Sequence, residues 1–84
     1  MQIEIISPES TLFTGDVKQV RVPGSIGSFA VLHNHAPITS TLEKGVIKIT
    51  QHDGEEVTLD ILGGVIQVKN NNVKILVFNE NEED

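Results

Sequence analysis

The sequence predicts an all-β fold, a small β-sandwich of about 8 to 10 strands. No window of the 84 residues keeps an apolar period of 3.6, so an amphipathic helix is not indicated. Short β-branched runs alternate instead with Gly, Pro, Asn and Asp, which is typical of strands separated by turns. The chain has three aromatic residues and no cysteine, so its core must be aliphatic and without disulfides.

The β-branched runs predict strands at residues 3–7, 11–14, 16–22, 28–32, 46–51, 55–62, 65–69 and 73–79. The longest connection, residues 33–45, leaves room for another short strand near residues 38–41. Neither a linker nor a repeat interrupts the pattern, so one domain is predicted at residues 1–79. Residues 80–84 are predicted to form a frayed acidic tail.

The turn around Asp53 and Gly54 is the first hairpin whose register the side chains determine. A two-residue loop would set Ile49 opposite Thr58 and mix the two faces of the hairpin. A three-residue loop, His52-Asp53-Gly54, sets Ile49 opposite Val57 and keeps the apolar residues on one face. We therefore predict the three-residue loop, with Gly54 in a left-handed bulge.

The turn at Asn70, Asn71 and Asn72 allows two registers that both keep the apolar pairs. A turn at Asn71-Asn72 would place Lys69 directly opposite Lys74. Like charges in directly opposed positions are destabilising, so we predict a type I′ turn at Asn70-Asn71.

The charge of the chain excludes several classes of function. Of its 12 acidic residues, four (Glu80, Glu82, Glu83 and Asp84) lie in the last five positions. The rest holds eight acids against six scattered bases, so no basic surface for nucleic acid is indicated. A membrane span and a secretory leader are also not indicated, which makes a cytoplasmic protein the expectation.

Three patterns suggest chemistry, and each has a simpler interpretation. His33 and His35 would share a face of a strand, but a second pair of metal ligands is not apparent, so no metal is expected. The glycines near Ser25 could cradle a phosphate, but the P-loop lysine is missing. Lys44, in a Glu-Lys-Gly turn, could instead be the modified lysine of a lipoyl or biotinyl carrier domain, an alternative that stays open.

Five segments in order resemble the epsilon subunit of F-type ATP synthases. They are residues 3–9 (IEIISPE) with 12–15 (LFTG), residues 20–37 (VRVPGSIGSFAVLHNHAP), residues 42–45 (LEKG), residues 63–64 (GG) and residues 72–77 (NVKILV). The resemblance covers nearly the whole chain and implies the β-sandwich of that subunit's N-terminal domain. Many members of the family continue into two C-terminal helices that regulate hydrolysis. Because the sequence ends after its last strand and tail, we expect a short form that does not inhibit hydrolysis.

This resemblance implies a non-catalytic subunit of the central stalk, without a cofactor or a tightly bound ATP. It would link the gamma subunit to the c-subunit ring and couple proton-driven rotation to ATP synthesis. It would lie on the inner, cytoplasmic face of the cell membrane without inserting into it.

The family positions also imply which residues meet each partner. The ring would be faced by the glycine loop, which is Gly24, Ser25, Ile26, Gly27 and Ser28. Ser7, His35 and Ser40 match positions near the gamma subunit. Where the family often has acids in the loop, this chain has Ile26 and Ser28, so contact with the ring should depend on shape and on Ile26.

Overall fold

The structure, a computed structural model, describes residues 1–79, and in these residues it is an all-β sandwich, as predicted. The predicted acidic tail, residues 80–84, lies outside the described residues. One sheet has five strands in the order β2-β1-β9-β8-β5, and the other has four in the order β4-β3-β6-β7. The strands are β1 (Gln2–Ile6), β2 (Thr11–Asp16), β3 (Gln19–Val22), β4 (Phe29–Leu32), β5 (Ile38–Leu42), β6 (Gly45–Thr50), β7 (Glu56–Ile61), β8 (Gly63–Lys69) and β9 (Asn72–Phe78).

The core between the two sheets is aliphatic, as the composition predicts. All 15 buried apolar side chains in the described residues are isoleucine, valine or leucine. They alternate along the strands with exposed residues, so that Val73, Ile75 and Val77 of β9 point inward. Phe13 and Phe29 are half-buried and pack against the margin of this core. Close packing of this kind resists deformation and makes the sandwich stiff.

The segment 16–22, which the sequence predicts as one strand, is divided between the two sheets. The Val17 N–H donates to Met1 O at 2.8 Å, whereas the Lys18 N–H donates to Thr50 O at 2.9 Å in β6 of the other sheet. Val17 and Val20 are both buried although they are three positions apart. That spacing breaks the period of two, so the chain crosses between the sheets here, and the prediction of a continuous strand was wrong.

The β6–β7 hairpin has the predicted register. Ile49 pairs with Val57 and Ile47 pairs with Leu59. The Gly54 N–H donates to Gln51 O at 3.0 Å, and Gly54 has a φ of +92°. The three-residue loop and the left-handed glycine are therefore confirmed.

Replacing Gly54 by valine is expected to lower the free energy of unfolding by about 1–2 kcal/mol or more, because β-branched residues resist positive φ. Nothing lies within 4 Å of the position of a Cβ at residue 54, so the loss would come from the backbone and not from a clash. Chemical denaturation followed by circular dichroism measures it. The control, Gly54→Asn, should lose less because asparagine tolerates positive φ. Equal stability of the valine variant and the native chain would contradict the assignment.

The β8–β9 hairpin also has the predicted turn. Asn70 and Asn71 have φ values of 52° and 61°, as a type I′ turn requires. Val68 pairs with Val73 and Gln67 pairs with Lys74, so Lys69 lies opposite Asn72 and not opposite a lysine.

The connections between strands collect at two ends of the sandwich. The first, the glycine-loop end, holds the β3–β4, β5–β6 and β7–β8 connections, because Gly24 bridges to Leu42 and Leu42 pairs with Gly64. The opposite, asparagine end holds the Asn70-Asn71 turn and the β4–β5 connection. The two ends differ in chemistry, and this difference defines the candidate site.

Candidate functional site

The glycine loop is a tight turn tied to the neighbouring sheet. The Gly27 N–H donates to Gly24 O at 3.0 Å, which closes the turn. The Ser25 N–H donates to Thr41 O at 3.0 Å, and the Thr41 hydroxyl donates to Ser25 Oγ at 2.9 Å. Because Thr41 belongs to β5, the loop joins both sheets at this end.

Gly24 gives the loop its shape through close approach. A Cβ at this position would lie 2.6 Å from Gly27 O and 2.8 Å from Phe29 Cε1. Both distances are shorter than any real contact of a Cβ, so a side chain at Gly24 would force the turn open. The glycine that the sequence singles out is thus required for the turn itself.

Ile26 lies at the tip of the glycine loop with its whole side chain in solvent. Its relative exposure is 102%, the largest among the exposed large hydrophobic residues of the described chain. The loop behind it is held by the bonds to Thr41, so the apolar tip is presented by a fixed backbone. A preorganised apolar residue of this kind costs little to immobilise when a partner covers it.

Further exposed apolar side chains, which were not predicted from the sequence, lie near the same end. Leu62 in the β7–β8 connection is 49% exposed and Phe78 at the end of β9 is 53% exposed. Val65 and Leu76 pair directly on the outer face of the five-stranded sheet. The alternation of β8 and β9 does assign Val65 and Leu76 to the outward face, so that signal was available in the sequence. Contiguous exposed apolar surface commonly marks a contact with another protein.

Ser7, implied by the resemblance as a gamma contact, is buried at the glycine-loop end. Its hydroxyl lies 3.3 Å from Ser10 O and donates to it, and the Ser10 N–H donates to Ser7 Oγ at 3.3 Å. These bonds close the turn between β1 and β2. Ser7 therefore shapes this turn more than it offers its hydroxyl to a partner.

Ser40 and His35 lie elsewhere on the sandwich. Ser40 is opposite Ile66, so its side chain shares the inward face at the edge strand β5. Since β9 and β8 separate β1 from β5, Ser40 is about 14 Å across the sheet from the β1 strand that leads to Ser7. His35 is half-buried at the asparagine end, where its Nδ1 lies 2.7 Å from Ala36 O. The fold does not bring the three residues together at one point.

Three other titratable groups at the asparagine end form a small ion-pair cluster. The terminal ammonium of Met1 donates to Asp16 Oδ1 at 2.8 Å, and His52 Nε2 lies 3.2 Å from the same oxygen. The hydrogen bond from the ammonium, and next the one from His52, lowers the pKa of the Asp16 carboxyl. Within residues 1–79, no three His, Cys, Asp or Glu side chains are grouped as metal ligands would be.

Lys44 does not occupy the position that a carrier domain would need. The alternative of a modified lysine places it at the tip of a hairpin. Lys44 lies instead in the connection from β5 to β6, and these strands belong to different sheets. It borders a shallow depression with Val46, Asp60 and Leu62. The geometry therefore gives the carrier alternative no support.

In the described part of the chain, no helix has the length and apolar character that a membrane crossing requires.

Residues 1–80 match the family described as the beta-sandwich domain of the ATP synthase delta/epsilon chain.

Curated relatives of the chain are bacterial ATP synthase epsilon chains. The chain is 47% identical over 68 residues to that of Sulfurovum sp. (strain NBC37-1), which covers 81% of this chain and 53% of the relative. It is 40% identical over 75 residues to that of Dichelobacter nodosus (strain VCS1703A), covering 89% of this chain and 52% of the relative. The chain thus spans about half the length of these relatives.

Two solved structures share the fold at low sequence identity. One is a cryo-EM structure of the Euglena gracilis mitochondrial ATP synthase, OSCP/F1/c-ring, with a TM-score of 0.84 at 19% identity, covering 89% of this chain and 48% of that one. The other is the central stalk and c-ring of the Tetrahymena thermophila enzyme, with a TM-score of 0.78 at 15% identity, covering 93% and 63%. These likenesses establish the same sandwich.

Proposed function

The chain belongs to the family of ATP synthase delta/epsilon chains by its β-sandwich domain, and we propose that it is a non-catalytic subunit of the rotating central stalk. In this role it links the gamma subunit to the c-subunit ring and couples proton-driven rotation to ATP synthesis. It needs no cofactor and holds no ATP tightly. It sits at the inner face of the membrane as a peripheral part of the complex.

The observation that carries this proposal is the apolar surface at the glycine-loop end. Ile26 is fully exposed on a fixed turn, and Leu62 and Phe78 at the same end of the sandwich are about half exposed. The asparagine end of the described chain has one exposed large apolar residue, Leu32, among polar and charged groups such as Asp16, His52 and Asn71. A protein that joins two partners needs such a contact surface, and we assign the glycine loop to the ring.

The stiffness of the sandwich suits a coupling role. A stalk subunit passes torque from one interface to the other, so its body must not deform under load. The close-packed aliphatic core and the bonds from the glycine loop to β5 meet this requirement. No reacting groups are needed for such a function.

The gamma interface is proposed to include Ser7, His35 and Ser40. These residues are spread over the β5 side and both ends of the sandwich, on the order of 20 Å apart by strand spacing and rise. A standard protein interface buries about 800 Å² on each partner, a patch roughly 30 Å across. One gamma interface of ordinary size can therefore include all three positions.

The experiment that tests the proposal uses purified gamma subunit and a reconstituted enzyme from which the native epsilon subunit has been removed. We expect the chain to form a complex with gamma and to raise the number of protons pumped per ATP hydrolysed. Affinity is measured by calorimetry, and pumping and hydrolysis are measured together in vesicles. Failure to bind gamma would overturn the proposal. So would strong suppression of hydrolysis with no change in the pumping ratio.

A further inference from the structure

Two asparagines at the asparagine end join the β8–β9 turn of the five-stranded sheet to the loop by which the chain enters that sheet from β4. Asn34 lies in the histidine loop, residues 33–37, which connects β4 to β5 and contains His33 and His35. The Asn34 N–H donates to Asn71 Oδ1 at 2.6 Å, and Asn71 Nδ2 donates to Asn34 Oδ1 at 3.0 Å. The two side chains thus form a reciprocal clasp between the histidine loop and the β8–β9 turn.

The backbone conformation at the two asparagines does not by itself account for their side chains. Asn34 and Asn71 have φ values of 66° and 61°, which glycine adopts at less cost than asparagine. Asn-Gly is also the preferred pair for a type I′ turn. The side chain of Asn71 is therefore not required by its turn, and the structure uses it for the bonds to Asn34.

The clasp is the histidine loop's connection to the rest of the sandwich. The other hydrogen bonds of residues 33–37 are local: the His35 N–H donates to Leu32 O at 3.1 Å, and His35 Nδ1 lies 2.7 Å from Ala36 O. Within residues 1–79, the two Asn34–Asn71 bonds are those that join this loop to a different element. Asn71 therefore restrains the loop at the residue directly before His35, although it makes none of these bonds to His35 itself.

We propose that Asn71 is a positioning residue for the gamma interface, which holds the histidine loop through Asn34 in the shape that gamma recognises. This inference rests on the proposed function, since it takes His35 to lie at that interface. A loop fixed before binding pays less ordering entropy on association than a loose one. Loss of the clasp should thus weaken binding while leaving the fold intact.

The test compares three variants of the chain at neutral pH. Asn71→Gly keeps the positive φ and removes both clasp bonds. Asn70→Gly is the matched control, since Asn70 is in the same turn at a φ of 52° but makes no bond to Asn34. Asn71→Asp is the rescue, because its carboxylate accepts from the Asn34 N–H and the Asn34 side-chain amide can turn to donate to the second oxygen. The readouts are exchange of the Asn34 amide hydrogen in the isolated chain, unfolding by denaturant, and the dissociation constant for purified gamma.

We expect Asn71→Gly to speed exchange at Asn34 about tenfold and to weaken gamma binding about fivefold, with the unfolding midpoint nearly unchanged. Asn70→Gly should change neither the exchange rate at Asn34 nor the affinity for gamma. Asn71→Asp should restore most of the native exchange protection and most of the native affinity. An unchanged exchange rate at Asn34 in Asn71→Gly would show that the clasp does not form. Faster exchange with an unchanged affinity for gamma would show that Asn71 does not position the loop for gamma. If the native chain fails to bind gamma, the proposed function fails and this inference with it; the exchange data then still report on the clasp alone.

Discussion

Replacement of Gly64 by alanine is expected to lower the free energy of unfolding by about 3 kcal/mol, a large effect for one methyl group. The added Cβ would overlap the carbonyl oxygen of Leu76 and lie 3.2 Å from Val77 Cα. Both are backbone atoms of β9, which is hydrogen-bonded on both sides by β1 and β8 and cannot move aside. Since a chain of this size has only about 4–13 kcal/mol of stability, such a loss is readily measured by urea unfolding.

The control for this variant is the adjacent glycine of the same pair. A Cβ at Gly63 would lie 3.4 Å from Leu42 O, which is an ordinary contact. Gly63→Ala should therefore lose less than about 1 kcal/mol. If both alanine variants were equally stable, the close approach of β8 and β9 at Gly64 would not exist as described.

Local pattern was enough to predict the hairpins of this chain. The register at His52, Asp53 and Gly54 follows from the period of two, because a slip of one residue would turn Ile47 and Ile49 toward solvent. The register at Asn70 and Asn71 follows because the alternative turn would place Lys69 directly opposite Lys74. In both hairpins the determining residues are close in sequence, so their interactions can be judged without knowing the rest of the fold.

The positions of the site residues depend on pairings between distant segments and could not be predicted in this way. β1 pairs in parallel with β9 across most of the chain, and β5 pairs with β8 across the two intervening strands β6 and β7. These pairings place Ser7 at one end of the sandwich and His35 at the other. The tip position of Ile26, by contrast, is set by a turn of a few residues, and the prediction of an apolar contact residue there used only local sequence.

Replacement of Ile26 by aspartate is expected to weaken attachment of the stalk to the c-ring by about 1–3 kcal/mol, if the proposed contact buries this side chain. That corresponds to roughly a 5- to 150-fold loss of affinity. A partner that covers the loop would have to remove water from the new carboxylate. This desolvation is unfavourable unless the partner places a cation opposite the carboxylate. Affinity for the isolated ring is measured with a complex of gamma and the chain, and coupling is measured as protons pumped per ATP hydrolysed.

Two controls separate the contact from other effects of the change. Ile26→Asn has nearly the same shape as the aspartate variant without its charge, so it should lose only the apolar part of the contact. Leu32→Asp puts the same charge on a residue that is 48% exposed at the other end of the sandwich and should leave ring affinity unchanged.

Because Ile26 is wholly in solvent in the isolated chain, its replacement should change the free energy of unfolding by no more than about 0.5 kcal/mol. A normal ring affinity for Ile26→Asp would remove the glycine loop from the interface. An equal loss in Leu32→Asp would show that net charge, and not the loop, controls attachment.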